Sequence, residues 1–297
     1  MELQWPLILF TAFIAWSCGL FATQGFFALK KESAKAQMPA LIMSVVLLVV
    51  GGIAVFFHLH HWERIFNGFG HITSGITQEL ICIVLMVIVA VIFFVFLRKD
   101  PENVPSWVAI LAIVIAVITA AITAHSYMMA SRPAWNSFLW IVCMVGNACV
   151  LGPMTFGVID ASANKAEGKS GLVGKIAFYG AIVGAVAMLL YVFSLAAVGG
   201  SFEPINYYYD PTEPMREMVD ANKAADLFAS QYALVLWLGV VVIGAVAPVL
   251  DGFMAKKKIA DSNVLTWCGI GLVAAVIGVI CVRMLFFMMG ASVFIFY

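Results

Sequence analysis

The chain is dominated by long apolar runs that are separated by mostly short polar connections. A helix needs about 20 mostly apolar residues to cross the hydrocarbon core of a bilayer. Eight runs meet this requirement, at about 5–29, 38–57, 77–97, 107–129, 134–159, 172–198, 231–250 and 264–290. No run alternates between apolar and polar residues in the way that strands of a membrane barrel do. The pattern therefore predicts an all-α, polytopic integral membrane protein with eight transmembrane helices, in which residues 1–297 form a single domain.

The composition supports this prediction and excludes other classes. Hydrophobic residues make up 64% of the chain and charged residues 11%, whereas a soluble domain is about half apolar and a quarter charged. A soluble enzyme and a disordered chain, which needs high charge and low hydrophobicity, are both excluded. The first run is too long for the hydrophobic region of a signal peptide, and no positive residue precedes it. We expect membrane lipid and no nucleic acid among its partners.

The positive residues are distributed unequally between the connections. Eleven of the 16 Lys and Arg residues follow the first, third, fifth and seventh runs. They are Lys30, Lys31, Lys35, Arg98, Lys99, Lys165, Lys169, Lys175, Lys256, Lys257 and Lys258. The other connections contain four, which are Arg64, Arg132, Arg216 and Lys223. Because positive connections stay in the cytoplasm, this asymmetry predicts that both termini face outward and that the long acidic loop 198–230 lies outside.

The six cysteines lie inside apolar runs or at their ends, and no two of them form a C-x-x-C pair. This spacing excludes a cysteine-ligated iron–sulfur cluster or zinc site within the chain. Small, weakly polar thiols of this kind usually serve in helix packing. We therefore predict no metal site here.

Titratable residues converge on the predicted outer face. Charged and ionisable groups are costly inside membrane helices, and they often mark functional sites. The candidates are His58, Arg64, His71, Glu79, His125, Tyr127 and Arg283. A carboxylate, imidazoles, a phenol and guanidinium groups at one depth suit a lipid-soluble ligand with a polar head, such as a quinol. Oxidation of a quinol releases two protons, so a base with a route to water is required.

Simpler interpretations of the same residues stay open. Glu79 is also consistent with an interfacial carboxylate that reaches water, and His58 with a residue that caps a helix. Packing alone also accounts for His125. Arg283, the deepest of the set, needs a partner, and a structural salt bridge to Glu79 would supply one.

Several short segments resemble the membrane anchor subunit of anaerobic dimethyl sulfoxide reductase. Residues 58–67 (HLHHWERIFN) resemble the family pattern H-L-G-x-P-x-R-x-F-N, with His60 and Trp62 in place of its glycine and proline. The other similar segments are Trp5-Pro6-Leu7, Glu79 after Gln78, Tyr127 to Trp135 with Pro133, residues 151–157 (LGPMTFG), and Arg283 with Phe286 and Phe287.

The resemblance implies a haem-free anchor in the bacterial cytoplasmic membrane, without an iron–sulfur cluster of its own, that oxidises menaquinol near the outer face. It implies that electrons pass to a partner subunit with four [4Fe–4S] clusters and then to a molybdopterin catalytic subunit. The residues that it associates with quinol are His58 and Glu79. Three alternatives remain, namely a polysulfide-reductase-type quinol anchor, a b-haem anchor with His58 and His125 as axial ligands, and a secondary transporter.

Overall fold

A computed structural model of the chain describes residues 3–58, 70–163, 171–202, 225–257 and 261–292. Within these ranges the regular structure is helical, and eight helices are long and apolar enough to cross a membrane. They are α1 (Trp5–Lys30), α2 (Ala34–Phe56), α3 (Gly75–Lys99), α4 (Ser106–His125), α5 (Phe138–Ala163), α6 (Gly171–Ser194), α7 (Ser230–Lys257) and α8 (Asp261–Met288). The predicted all-α polytopic fold with eight transmembrane helices is confirmed.

Two helices end or begin inside their predicted bounds at the connection between α4 and α5. The apolar runs predicted helices over 107–129 and 134–159, but α4 ends at His125 and α5 begins at Phe138. Residues 126–137 instead form successive turns, in which the amides of Ser126, Tyr127 and Met128 bond to carbonyls three or four residues earlier. Pro133 lacks an amide hydrogen and disfavours helix in the residue before it. At other ends, α5 and α7 continue past their apolar runs into polar residues, because a helix need not end where the bilayer does.

The helices pack as a bundle in which α1 and α5 are central. α1 contacts α2, α4 and α5, while α5 also contacts α6 and α8, and α7 packs against α6 and α8. The outward faces of peripheral helices remain apolar, as shown by Ile88, Val183 and Leu238, which are each about half exposed. Such faces suit contact with lipid tails rather than with water.

The connections identify the two ends of the bundle. At one end, Lys31 Nζ donates to Asn103 Oδ1 at 3.2 Å and Lys256 Nζ donates to the Tyr179 hydroxyl at 3.3 Å. We call this the lysine end. At the opposite end, α1, α3, α5 and α7 begin, and the α4–α5 connection packs against the end of α8.

Close packing between α7 and α8 depends on glycine. The backbones of Gly244 and Gly278 approach so closely that a Cβ on Gly278 would overlap the Gly244 backbone. Small residues of this kind let membrane helices approach and gain van der Waals contact. The contact lies within a π-helical stretch of α7, Leu234–Val246, whose backbone is wider than an α-helix.

We predict that Gly278→Ala destabilises the protein by about 1–3 kcal/mol, because the added methyl group forces α7 and α8 apart. The matched control is Gly269→Ala in the same helix, where a Cβ meets open space and the change should be neutral or stabilising by up to about 1 kcal/mol. The measurement is the thermal transition of the detergent-solubilised protein. Equal transitions for the two variants would contradict the assigned α7–α8 contact.

Candidate functional site

A cavity of about 610 Å³ lies at the end of the bundle opposite the lysines. It is lined mainly by apolar side chains, with a small group of polar residues on its wall. The lining residues are Gln4, Leu7, Phe10, Gly52, Val55, Phe56, His58, Ile76, Glu79, Leu80, Ile83, Ser126, Tyr127, Met129, Arg132, Trp135 and Phe287. Size and composition are typical of a pocket for a small, largely apolar ligand.

Three chain segments bring the polar groups of the cavity together. His58 follows the last turn of α2, Glu79 lies one turn inside α3, and Tyr127 lies in the α4–α5 connection. Gly75 makes the meeting of the last two possible, since a Cβ at this position would collide with the backbone of Ser126. The cavity therefore unites three of the residues that the sequence selected.

Glu79 is the acidic residue of this wall, and its two oxygens differ. The side chain is only 6% exposed. Ser126 Oγ lies 3.2 Å from Glu79 Oε2 and 2.8 Å from the Thr123 carbonyl, so its single proton is divided between two acceptors. Glu79 Oε1 and the neighbouring Thr123 Oγ1 are buried, and neither has a partner with good hydrogen-bond geometry among the described residues, although the Thr123 hydroxyl lies close enough to the carboxylate to act as a weak donor to it. A buried polar atom without a partner is costly, so this wall favours a ligand that donates a hydrogen bond.

Tyr127 presents a phenol to the same space. Its ring meets Phe286 and Phe287 edge to face, with centroids 6.1 and 6.2 Å apart. Burial, with a smaller contribution from the Glu79 carboxylate, raises the pKa of Tyr127 well above its usual value. The hydroxyl therefore stays protonated at neutral pH and can donate or accept a hydrogen bond.

Arg132 and Trp135 also line the cavity, and the site prediction missed both. The Arg132 guanidinium lies 4.4 Å from the centre of the Trp135 ring and donates to the Gly290 carbonyl at 2.6 Å. Trp135 Nε1 donates to the Phe286 carbonyl at 2.6 Å. Both residues belong to the segment Tyr127 to Trp135 that resembles the family. The charge of Arg132 next to an apolar run was the signal that could have selected it. Their positions depend on α8, which is distant in sequence.

Arg283 does not line the cavity, and its hydrogen bonds go to partners other than Glu79, the salt-bridge partner considered among the simpler interpretations. Its guanidinium is fully buried and donates to Thr11 Oγ1 at 2.9 Å, the Thr11 carbonyl at 3.1 Å and the Val279 carbonyl at 3.0 Å. It also contacts Met144 Sδ and lies 5.9 Å from the centre of the Trp140 ring. These contacts join α1, α5 and α8, so Arg283 has partners within the bundle and does not need the carboxylate.

The remaining candidates are dispersed. His71 and His125 are exposed at the same end of the bundle, and neither lines the cavity. His58 and His125 are the two residues that were considered as axial ligands of a haem. His58 lines the cavity, whereas His125 does not. Arg64 lies outside the described residues, as does most of the acidic loop 198–230. Within the described ranges, no group of three or more His, Cys, Asp or Glu side chains is arranged to hold a metal ion.

Comparison with known proteins assigns the chain to a family. A search of curated proteins finds no match. The family described as the DMSO reductase anchor subunit (DmsC) matches residues 1–289. This match includes every helix described above and agrees with the resemblance in the short segments. The protein is thus a multi-pass membrane subunit whose family implies catalytic and electron-transfer partner subunits. The chain belongs to the DmsC family of membrane anchor subunits of DMSO reductase complexes.

Proposed function

We propose that this subunit binds menaquinol in the cavity and oxidises it for the attached reductase complex. The observation that carries the proposal is Glu79, a buried carboxylate on the cavity wall with one oxygen that lacks a hydrogen-bond partner. A quinol hydroxyl supplies the missing donor. The apolar remainder of the cavity suits the ring and the first part of the isoprenoid tail.

The cavity is placed for lateral entry from the bilayer. Phe56 on α2 and Ile76 on α3 line it and are 47% and 69% exposed, so this side of its wall reaches the lipid-facing surface. Ile83 lies eight residues into α3, which places the cavity floor about 12 Å below the start of this helix. A quinol that diffuses in the membrane needs such an opening near one face.

The polar residues have complementary roles in this proposal. Glu79 Oε1 accepts a hydrogen bond, and then a proton, from one quinol hydroxyl. His58 or Tyr127 binds the second ring oxygen. The proton on Glu79 leaves toward water at the same end of the bundle, through His71 or bound water.

Each turnover converts menaquinol to menaquinone with the release of two protons and two electrons. The electrons leave for a partner subunit with four [4Fe–4S] clusters, which docks at the cavity end and passes them to a molybdopterin catalytic subunit. We place the cavity end outside the bacterial cytoplasmic membrane, because the lysine end satisfies the positive-inside rule. Protons and electrons then leave on the same side, and the step stores no membrane potential.

The position of the cavity favours this function over the alternatives. Substrate sites of secondary transporters usually lie at the bilayer midplane between repeats, whereas this cavity lies at one end of the helices. The family match favours the DMSO reductase anchor over the polysulfide-reductase type.

We predict that Glu79→Gln lowers the rate of menaquinol oxidation by at least about 100-fold, because the amide cannot accept the proton. The shape of the side chain is retained, so assembly of the complex should be unchanged. The measurement is oxidation of a reduced menaquinol analogue by the purified complex, with assembly followed by size-exclusion chromatography. The control is Glu102→Gln, an exposed acid in the α3–α4 connection at the lysine end. Normal turnover in Glu79→Gln would refute the assignment.

We predict that His58→Gln lowers the rate of quinol oxidation by about 10-fold or more. The glutamine amide cannot place a polar atom where the imidazole nitrogen meets the ring oxygen of the quinol. His125→Gln is the matched control, because His125 is exposed at the same end but does not line the cavity. Steady-state kinetics over a range of quinol concentrations measure both. Equal loss in the two variants would show that position in the cavity is not what matters.

We predict that a reporter domain fused to the C-terminus is exported from the cytoplasm. Alkaline phosphatase should be active in this fusion, and green fluorescent protein should be dark. The reverse pattern would move the cavity to the cytoplasmic face and overturn the proposed outward path of the protons.

A further inference from the structure

A second cavity lies on the lipid-facing side of the bundle, in the half nearer the lysine end. It is a groove of about 350 Å³ between α1, α4, α5 and α6. Its lining is mostly small or apolar, and it includes Cys18, Phe26, Val117, Tyr179 and Val183. None of these residues belongs to the cavity that contains Glu79.

The shape of the groove suits an acyl chain. α1 packs against α4 and α5, and α5 packs against α6, so α1 and α5 form the floor while α4 and α6 form the walls. Val117 and Val183 on the two walls are 43% and 51% exposed, which leaves the groove open to the bilayer. From Cys18 to Phe26 it extends about 12 Å along α1. This is close to the thickness of one leaflet of hydrocarbon, since the whole core is about 30 Å thick.

Positive charge is concentrated where the groove reaches the lysine end. Lys256 Nζ lies 3.3 Å from the Tyr179 hydroxyl and 4.8 Å from the centre of its ring. Lys30 Nζ lies 5.8 Å from the centre of the Phe26 ring. Both aromatic residues line the groove. Lys175 is exposed one helical turn before Tyr179 in α6. Because an ammonium group has three donors, Lys256 retains donors for a ligand while it contacts Tyr179.

We propose that this groove is a binding site for an anionic phospholipid. One acyl chain lies between α4 and α6, and the phosphate lies between Lys30 and Lys256, with Lys175 nearby. The apolar lining of the groove lies at the depth of the acyl chains of the leaflet at the lysine end. The lysines at its mouth lie at the depth of the headgroups of the same leaflet. Basic pockets between transmembrane helices recognise anionic headgroups through this combination. The bound lipid would contact α1 and α4 on one side of the groove and α5 and α6 on the other, and would so add contacts between these two pairs of helices.

The test measures lipid bound to the purified complex by native mass spectrometry, after removal of loosely bound lipid and addition of phosphatidylglycerol or phosphatidylcholine. Wild-type complex should retain phosphatidylglycerol at least 10-fold better than phosphatidylcholine. The double variant Lys30→Gln and Lys256→Gln should lose this preference, and Val117→Trp, which fills the groove, should lose bound lipid altogether. Lys99→Gln is the matched control, since Lys99 also lies over an aromatic ring at the lysine end, Phe96 at 5.6 Å, but away from the groove.

Unchanged binding in both the double variant and Val117→Trp would overturn the proposal. Equal retention of the two lipids by wild-type complex would also overturn it, as would recovery of menaquinone or a partner helix in place of phospholipid. Because the lysine substitutions lie at exposed or partly exposed positions, they test the site even if Val117→Trp fails to fold. Glu79→Gln should bind phosphatidylglycerol normally, which separates this test from the assay of quinol oxidation.

Discussion

The attachment of the α4–α5 connection to the end of α8 determines the geometry of the cavity. Trp135 donates to the Phe286 carbonyl, and its ring stacks on Phe286 with centroids 4.8 Å apart. The Arg132 guanidinium lies over the Trp135 ring and donates to the Gly290 carbonyl. This segment has left the helix, so its buried polar backbone groups and side chains need partners outside a regular helical ladder. The same attachment presents Ser126 to Glu79 and Tyr127 to the cavity.

Two buried ionisable residues of the bundle differ in their hydrogen-bond partners, and this difference separates a structural residue from a candidate functional one. The donors of Arg283 bond to Thr11 and Val279, so this residue acts as a tie between helices. Glu79 retains an oxygen without a partner, and that oxygen lies on a cavity wall. An unpaired buried acceptor costs free energy that a bound donor recovers. The difference favours Glu79 over Arg283 as the residue that meets a substrate.

The two cavities lie in different halves of the bundle and differ in the chemistry of their walls. Near one end, a carboxylate, a phenol and an imidazole surround a space that suits a polar ring. In the other half, an apolar groove ends at lysines and suits a lipid that belongs to one leaflet. The positive-inside asymmetry therefore has a local counterpart, since part of the charge that orients the protein lies where a lipid headgroup would bind.

The sequence alone determined the number of spanning helices, the uneven distribution of lysines and the short segments of family resemblance. A bilayer demands about 20 apolar residues per crossing whatever the tertiary structure, so hydropathy predicts spans well. It also selected His58, Glu79 and Tyr127, which the structure places in one cavity. Whether they bind quinol stays a prediction.

Only the tertiary structure decided which candidates share a space. Hydropathy did not reveal that α4 ends at His125, that Arg283 bonds to α1, or that Arg132 and Trp135 line the cavity. The physical reason is that these helices are apolar on nearly every side, toward lipid as well as toward protein. Their rotation about their own axes is set by packing, such as the close approach of Gly75 to Ser126, and that rotation decides what each side chain meets.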